Sequence, residues 1–239
     1  MAKLHKIPDL HATLPEKLCS FSEQMIDKSK KIRIFARRLP HENKKTKQHT
    51  TMKKAYVFMA NGFEDIEALA PIDILRRGGV HVTTVSINDN REVESAHGVT
   101  ILADTTFDEA GDFGDADILM LPGGMPGAAN LNDHEGVRHA LLRQNEQGKW
   151  IGAICAAPFI LGGLGLLRGK QATCYPGFEG HLEGADYTAD LVTIDGHFIT
   201  GRGPGAAMPY GYAILRELGY ADAADALQEG MIFNQLLNR

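Results

Sequence analysis

From Ala55 onward the chain alternates short apolar runs with stretches of helical periodicity, and this alternation limits the fold more than any other feature. Ala55 to Ala60 is an apolar run, Asn61-Gly62 a break, and Glu64 to Arg77 a helix with Ile66, Leu69, Ala70, Ile74 and Leu75 on one face. Gly78-Gly79 ends that helix, and Val80 to Ile87 is β-branched strand material. Ile118 to Leu121 makes a third strand, stopped by Pro122-Gly123-Gly124. Val137 to Gln147 reads as a helix, Trp150 to Ile154 as a fourth strand, and Ala156 to Leu167 as another helix. Shorter alternating segments at 90–103 and 171–200 read as hairpins or edge strands. Ala206 to Leu218 and Ala221 to Gln228 close the chain as helices. Strands separated by helices need right-handed crossovers, so the expected class is α/β, a mainly parallel sheet with helices on both faces.

Residues 1–51 stand outside this pattern. They carry 12 Lys/Arg against 5 Asp/Glu and no glycine, while the rest of the chain carries 13 against 25 and all 26 glycines. Their one dense apolar stretch, Ile32 to Leu39, is crossed by Arg33, Arg37 and Arg38. Too little apolar surface remains for a core, so 1–51 is expected to be a flexible basic leader and 52–239 the folded domain. Such a leader is an upstream extension, a nucleic-acid arm or an organelle address, with its acidic residues counting against a transit peptide. Over the whole chain 44% of residues are apolar and 23% charged, which excludes wholesale disorder. No apolar stretch reaches the ~18 residues of a membrane span. Nothing at the N-terminus reads as a secretory signal, and three cysteines cannot close into a disulfide set. The expected compartment is therefore the reducing cytoplasm.

In parallel α/β sheets the reactive groups gather beyond the carboxyl ends of the strands. Three such ends are chemically unusual here: Asn61 to Glu67, Gly123 to Gly127, and Cys155-Ala156-Ala157-Pro158. Small residues around Cys155 permit a sharp strand-to-helix turn, the geometry of a nucleophile elbow. A helix N-terminus behind the sulfur favours the thiolate, and such sites bring a cysteine pKa down to roughly 3.5–7.5. A small buried core thiol is the alternative reading. Cys174 reads as structural, and Cys19 falls in the leader. The backbone N–H groups of Gly124 and Ala156 are candidate donors to a developing oxyanion, with Gly123 allowing close approach. Glu67 either complements the dipole of the first helix or points back into the crevice; Glu64 and Asp65 are better placed for capping. His81, His134, His139 and His197 read as solvated or structural rather than as metal ligands.

Gly62-Phe63-Glu64-Asp65-Ile66-Glu67-Ala68, Leu121-Pro122-Gly123-Gly124, Ala153-Ile154-Cys155-Ala156-Ala157-Pro158 and Arg202-Gly203-Pro204-Gly205 together resemble the ThiJ/PfpI family. They occur in family order over essentially 54–230, and within the family the chain is most similar to its deglycase branch. The resemblance implies a flavodoxin-like three-layer sandwich, a homodimer with Arg77 near the contact, Cys155 as nucleophile and Glu67 hydrogen-bonded to it. It further implies a cofactor-independent enzyme without a metal, acting on 2-oxoaldehydes such as methylglyoxal and glyoxal or on early glycated amines and thiols. Two departures bear on mechanism. Ala156 stands where the peptidase branch has a histidine, and Tyr175 precedes Pro176 where some relatives have a histidine. A tyrosine with a pKa near ~10 is a poor base at neutral pH. Two other functions fit a cysteine at such a turn: a redox-sensing or chaperone protein with an oxidisable Cys155, and a glutamine amidotransferase using His181-Leu182-Glu183.

Overall fold

The first apolar run forms β1 (Lys54–Met59), and the break at Asn61-Gly62 leads into α1 (Asp65–Arg77), capped by the Glu64 side chain accepting from the Glu67 N–H. β2 (His81–Ser86) follows, then a hairpin of β3 (Glu92–Glu94) and β4 (Thr100–Leu102), then β5 (Thr105–Thr106) and the single turn α2 (Phe107–Ala110). β6 (Ile118–Leu121), α3 (Gly127–Asp133), α4 (Glu135–Glu146), β7 (Trp150–Ile154) and α5 (Pro158–Gly163) complete the central part. Beyond these come β8 (Gln171–Ala172), β9 (Asp186–Tyr187), β10 (Val192–Asp195), β11 (Phe198–Gly201), α6 (Ala207–Glu217), α7 (Ala221–Gly230) and α8 (Asn234–Leu237). The computed structural model describes residues 52–237, all within one unit, His49–Arg239. The expected leader lies outside the described residues.

Seven strands form the main sheet in the order β10-β11-β7-β6-β1-β2-β5. All neighbours pair in parallel except β10 with β11, an antiparallel edge hairpin. The period-two alternation of the strands sends side chains to two separate cores. Val57, Met59, Ile118, Met120, Ile154 and Ile199 pack under α1, α6 and α7. Phe58, Leu119, Leu121, Ile151 and Ala153 pack against α3, α4 and α5 on the other side. The result is the three-layer, flavodoxin-like sandwich, as expected.

Two local expectations are corrected. α1 does not bury the stripe through Ile66 and Leu69: these are 54% and 39% exposed, while Ala68, Pro71, Ile72, Ile74 and Leu75 face the core. The helix is apolar on two sides, so periodicity alone could not say which side meets the sheet. The helix after Cys155 is also shorter than 156–167, since it begins at Pro158 and ends at Gly163, with Gly165 at φ 72° turning the chain away. α3 carries no helical signal in the sequence, because its Gly127-Ala128-Ala129-Asn130 start has no apolar period.

Candidate active site

β7, β6 and β1 are adjacent, so their carboxyl ends bring Cys155, Gly123-Gly124 and the start of α1 into one place. The loops interlock through backbone contacts that leave no room for side chains. Gly124 has φ 88°, and a Cβ there would stand 2.4 Å from the Glu64 nitrogen and 2.6 Å from the Gly62 oxygen. The Glu64 N–H donates to the Gly123 oxygen (3.0 Å), and the Gly127 N–H to the Gly62 oxygen (3.2 Å). Cys155 itself adopts φ 65°, a left-handed conformation that a side chain rarely takes and that marks a strained turn. Its N–H is held by the Gly201 oxygen (2.8 Å), and its carbonyl accepts from the Tyr175 N–H (2.8 Å). The elbow is therefore clamped from β11 on one side and the 175 loop on the other.

Glu67 reaches this elbow from the first turn of α1 and is 2% exposed. Its Oε2 accepts from the Gly123 N–H (3.1 Å), and the same carboxyl hydrogen-bonds the Cys155 thiol. A Cβ on Gly123 would fall 2.5 Å from Glu67 Oε2 and 2.7 Å from Cys155 Cβ. This glycine is thus the gap through which acid and sulfur meet. Burial pushes the Glu67 pKa up to about 7, the nearby Glu64 charge adds to this, and the Cys155 and Gly123 hydrogen bonds oppose it.

The sulfur departs from the sequence expectation of a low-pKa thiolate. Cys155 is 8% exposed; burial first, and then the Glu67 charge and hydrogen bond, push its thiol pKa up. The N–H groups of Ala156 and Gly124 hydrogen-bond the sulfur and pull the other way without reversing the shift. The reason is structural: α5 is six residues long and starts three residues beyond the cysteine, and a carboxyl sits where a positive group would be needed. Two neighbouring acids at one buried point resist joint ionisation, so they hold a proton between them.

The other sequence candidates divide. Gly123, Gly124 and Ala156 surround the Cys155–Glu67 pair. Tyr175 touches the site through its backbone, but its ring is 46% exposed and lies against Gly203. With Pro176, Leu191, Arg202 and Pro204 it lines a mostly apolar cleft of about 250 Å³ beside the elbow. Arg202, a motif residue with no role in the sequence reading, thus faces the approach to the site, and its guanidinium bonds the Ala189 carbonyl. Arg77 is not brought to the crevice. It sits at the far end of α1 and pairs with Asp73 at 2.8 Å. His181 packs against Phe159 and Phe178 in a short helical turn. Cys174 is buried, and desolvation takes its pKa to about 11. Among the described residues, Glu64, Asp65 and His97 bring possible metal ligand atoms within 4.8 Å of one another. All three are already engaged, Glu64 as the α1 cap and Asp65 Oδ2 with His97 Nδ1 at 2.6 Å. No helix among the described residues is long and apolar enough to cross a membrane.

Known proteins show the same arrangement of chain. The crystal structure of Drosophila melanogaster DJ-1beta superposes with a TM-score of 0.73 at 34% identity, covering 76% of this chain and 98% of that one. The Danio rerio Parkinson disease protein 7 homolog is 33% identical over 183 residues, 75% of this chain and 97% of its own length. A Schizosaccharomyces pombe protein named glutathione-independent glyoxalase DJ-1 is 31% identical over 189 residues, 75% of this chain and 98% of its own. Arabidopsis thaliana DJ-1 homologs B and A are 38% and 37% identical, but the chain spans only 39% and 45% of their lengths. The DJ-1/PfpI family profile matches residues 53–217, and on that match and these relatives the chain belongs to the DJ-1/PfpI family.

Proposed function

We propose that the protein is a cofactor-independent cysteine enzyme that converts 2-oxoaldehydes to hydroxy acids, with Cys155 and Glu67 as its catalytic residues. The observation that carries this reading is the buried thiol–carboxyl contact across Gly123, with a carboxyl that is half-ionised near neutral pH. A relative named as a glutathione-independent glyoxalase supports it. With methylglyoxal, the Cys155 sulfur adds to the aldehyde carbon while ionised Glu67 takes the thiol proton; the carbonyl electron pair moves to oxygen beside the Gly124 and Ala156 N–H groups. Once the oxygen is protonated the product is a hemithioacetal. Glu67 then moves a proton from the aldehyde carbon to the neighbouring carbonyl carbon, leaving a 2-hydroxyacyl thioester. Water releases lactate and restores the thiol, so the net change is addition of one water. The same attack on early glycated amines or thiols makes the enzyme a deglycase. The apolar cleft at Tyr175 suits the methyl end of the substrate, and Tyr175 takes no proton in this scheme.

Lactate formation from methylglyoxal tests the proposal. Cys155→Ala is expected to abolish it and Glu67→Gln to lower it by about 10²–10⁴, the usual worth of a general base. Undiminished turnover in Cys155→Ala would end the reading.

A second reading is favoured by the donors around the sulfur. The Gly124 and Ala156 N–H groups and a protonated Glu67 could hold the two oxygens of a cysteine sulfinate formed by two equivalents of peroxide, and a Toxoplasma gondii relative, 31% identical, is described as oxidized. Selective gain of two oxygens at Cys155, without aldehyde turnover, would favour a sensor over an enzyme. We place the protein in the cytoplasm as a homodimer, with the exposed Ile66 and Leu69 of α1 and the adjoining Asp73–Arg77 pair at the contact.

A further inference from the structure

We propose that Tyr210 of α6 is a positioning residue for Glu67, its hydroxyl donating to the carboxyl's second oxygen through one bridging water. The inference rests on the reading of Glu67 as the working acid, and it begins from two polar atoms that the fold leaves unserved. Glu67 Oε1 is buried and accepts no hydrogen bond, although Oε2 is satisfied by Gly123. The Tyr210 hydroxyl is likewise buried without a partner, on a side chain that is 1% exposed. Each such orphan costs free energy comparable to a lost hydrogen bond, so two in one layer call for a common explanation.

The packing brings them to the same layer. α1 and α6 lie together over one face of the sheet: a Cβ on Gly211 would stand 3.1 Å from Pro71 Cα and 3.0 Å from Ile74 Cδ1. Glu67 is one turn before Pro71 on the same helix, and Tyr210 is the neighbour of Gly211. The Tyr210 hydroxyl ends against Gly152 of β7, where a Cβ would be only 2.4 Å from it. Gly152 shares its face of the strand with Ile154 and precedes the Cys155 elbow by three residues. A phenylalanine at 210 would fill the core equally well; the hydroxyl, and the glycine that makes room for it, have no packing purpose. The Glu67 charge is also felt at the phenol, which it pushes further up.

A phenol is a donor that keeps its proton throughout the working pH range. Given to Glu67 across one bridging water, it favours the ionised carboxyl, which is the form that accepts the Cys155 proton. Tyr210 therefore restrains the burial-driven rise of the Glu67 pKa and fixes the orientation of the carboxyl toward the sulfur.

The test is the pH dependence of Cys155 alkylation by iodoacetamide in the full chain, followed at the Cys155 peptide by mass spectrometry. The step near pH 7 that disappears in Glu67→Gln reports the carboxyl. Tyr210→Phe is expected to move that step upward by about one pH unit and to lower kcat for methylglyoxal with little change in KM. In the Glu67→Gln background the same change is expected to leave the alkylation profile unmoved. Should Tyr210→Phe fail to fold, Gly152→Ala displaces the hydroxyl instead and carries the same expectation. A step that stays within about 0.2 pH of wild type, or a wild type without any Glu67-dependent step, overturns the inference. Alkylation needs no substrate, so a protein that turns over no aldehyde would sink the proposed function while this titration still decides the role of Tyr210.

Discussion

A carboxyl whose pKa rises from the ordinary 4.5 to about 7 on folding makes the folded state less stable as the pH climbs. Below pH 4.5 Glu67 is protonated whether folded or not, and the effect is absent. Between 4.5 and 7 the unfolded chain releases the proton and the folded one keeps it; above 7 the whole difference, about 3 kcal/mol, works against folding. Glu67→Gln keeps an acceptor for Gly123 and removes the charge, so its melting temperature should exceed wild type by about 5–10 °C at pH 8 and by little at pH 4. Equal gains at both pH values would refute this electrostatic account. Gly123→Ala should act by bulk alone: its methyl must displace Glu67 or Cys155, costing about 1–3 kcal/mol and at least about 100-fold in turnover. Gly163→Ala, where a Cβ meets nothing, is the control and should leave both intact. The position of Cys155 was legible from its small neighbours, but its ionisation was not. Local pattern does not report burial, and the carboxyl that raises the thiol's pKa arrives from a distant helix.

α1 carries most of the site's logic as an element. Its cap, Glu64, fixes the first turn, Glu67 points inward from that turn, and Pro71 lacks the N–H that would otherwise bond the Glu67 carbonyl. At about 100° per residue Ile66, Leu69, Ala70, Asp73 and Arg77 share the opposite side. That side is an apolar strip closed by an ion pair, and the strip was legible as helical periodicity while its outward orientation was not. A second copy covering it would explain why both leucine and isoleucine are tolerated in the open. Leu69→Glu and Ile66→Glu are expected to shift the protein from dimer to monomer in sedimentation at micromolar concentration, without loss of the monomer fold. A wild type that sediments as a monomer would remove the contact from the proposal. The segment after Cys155 shows the reverse case. Its composition reads as a long helix, but Cys155 at φ 65° and the turn from Ala157 N–H to the Ile154 oxygen delay its start, and the expected dipole behind the sulfur is lost with that turn.

At the level of the whole molecule, alternation of strand and helix was enough to infer a covered parallel sheet, because each crossover leaves few arrangements. Strand order was not readable in the same way, and it is the order β7-β6-β1 that collects the three loops at one edge of the sheet. Neither was the pairing of α6 with α1, and the place of Tyr210 depends on such long-range packing, its hydroxyl ending against Gly152 of a strand distant in sequence. Both cores close around the sheet with residues from Ala55 to Phe233, one on each face. A chain beginning at Met52 should therefore retain the melting temperature within about 2 °C, since the residues from 55 to 233 supply packing on both faces of the sheet. Its methylglyoxal turnover should match that of the full chain as well, because Cys155, Glu67, Gly123 and Tyr210 all lie within 52–239. If residues 1–51 instead serve as a basic arm, the loss will show as weaker retention on an anionic surface or polynucleotide, falling with salt, while stability and turnover stay level. A truncated protein that melts well below the full chain would mean that the first 51 residues support the fold, and the boundary at Met52 would have to be redrawn.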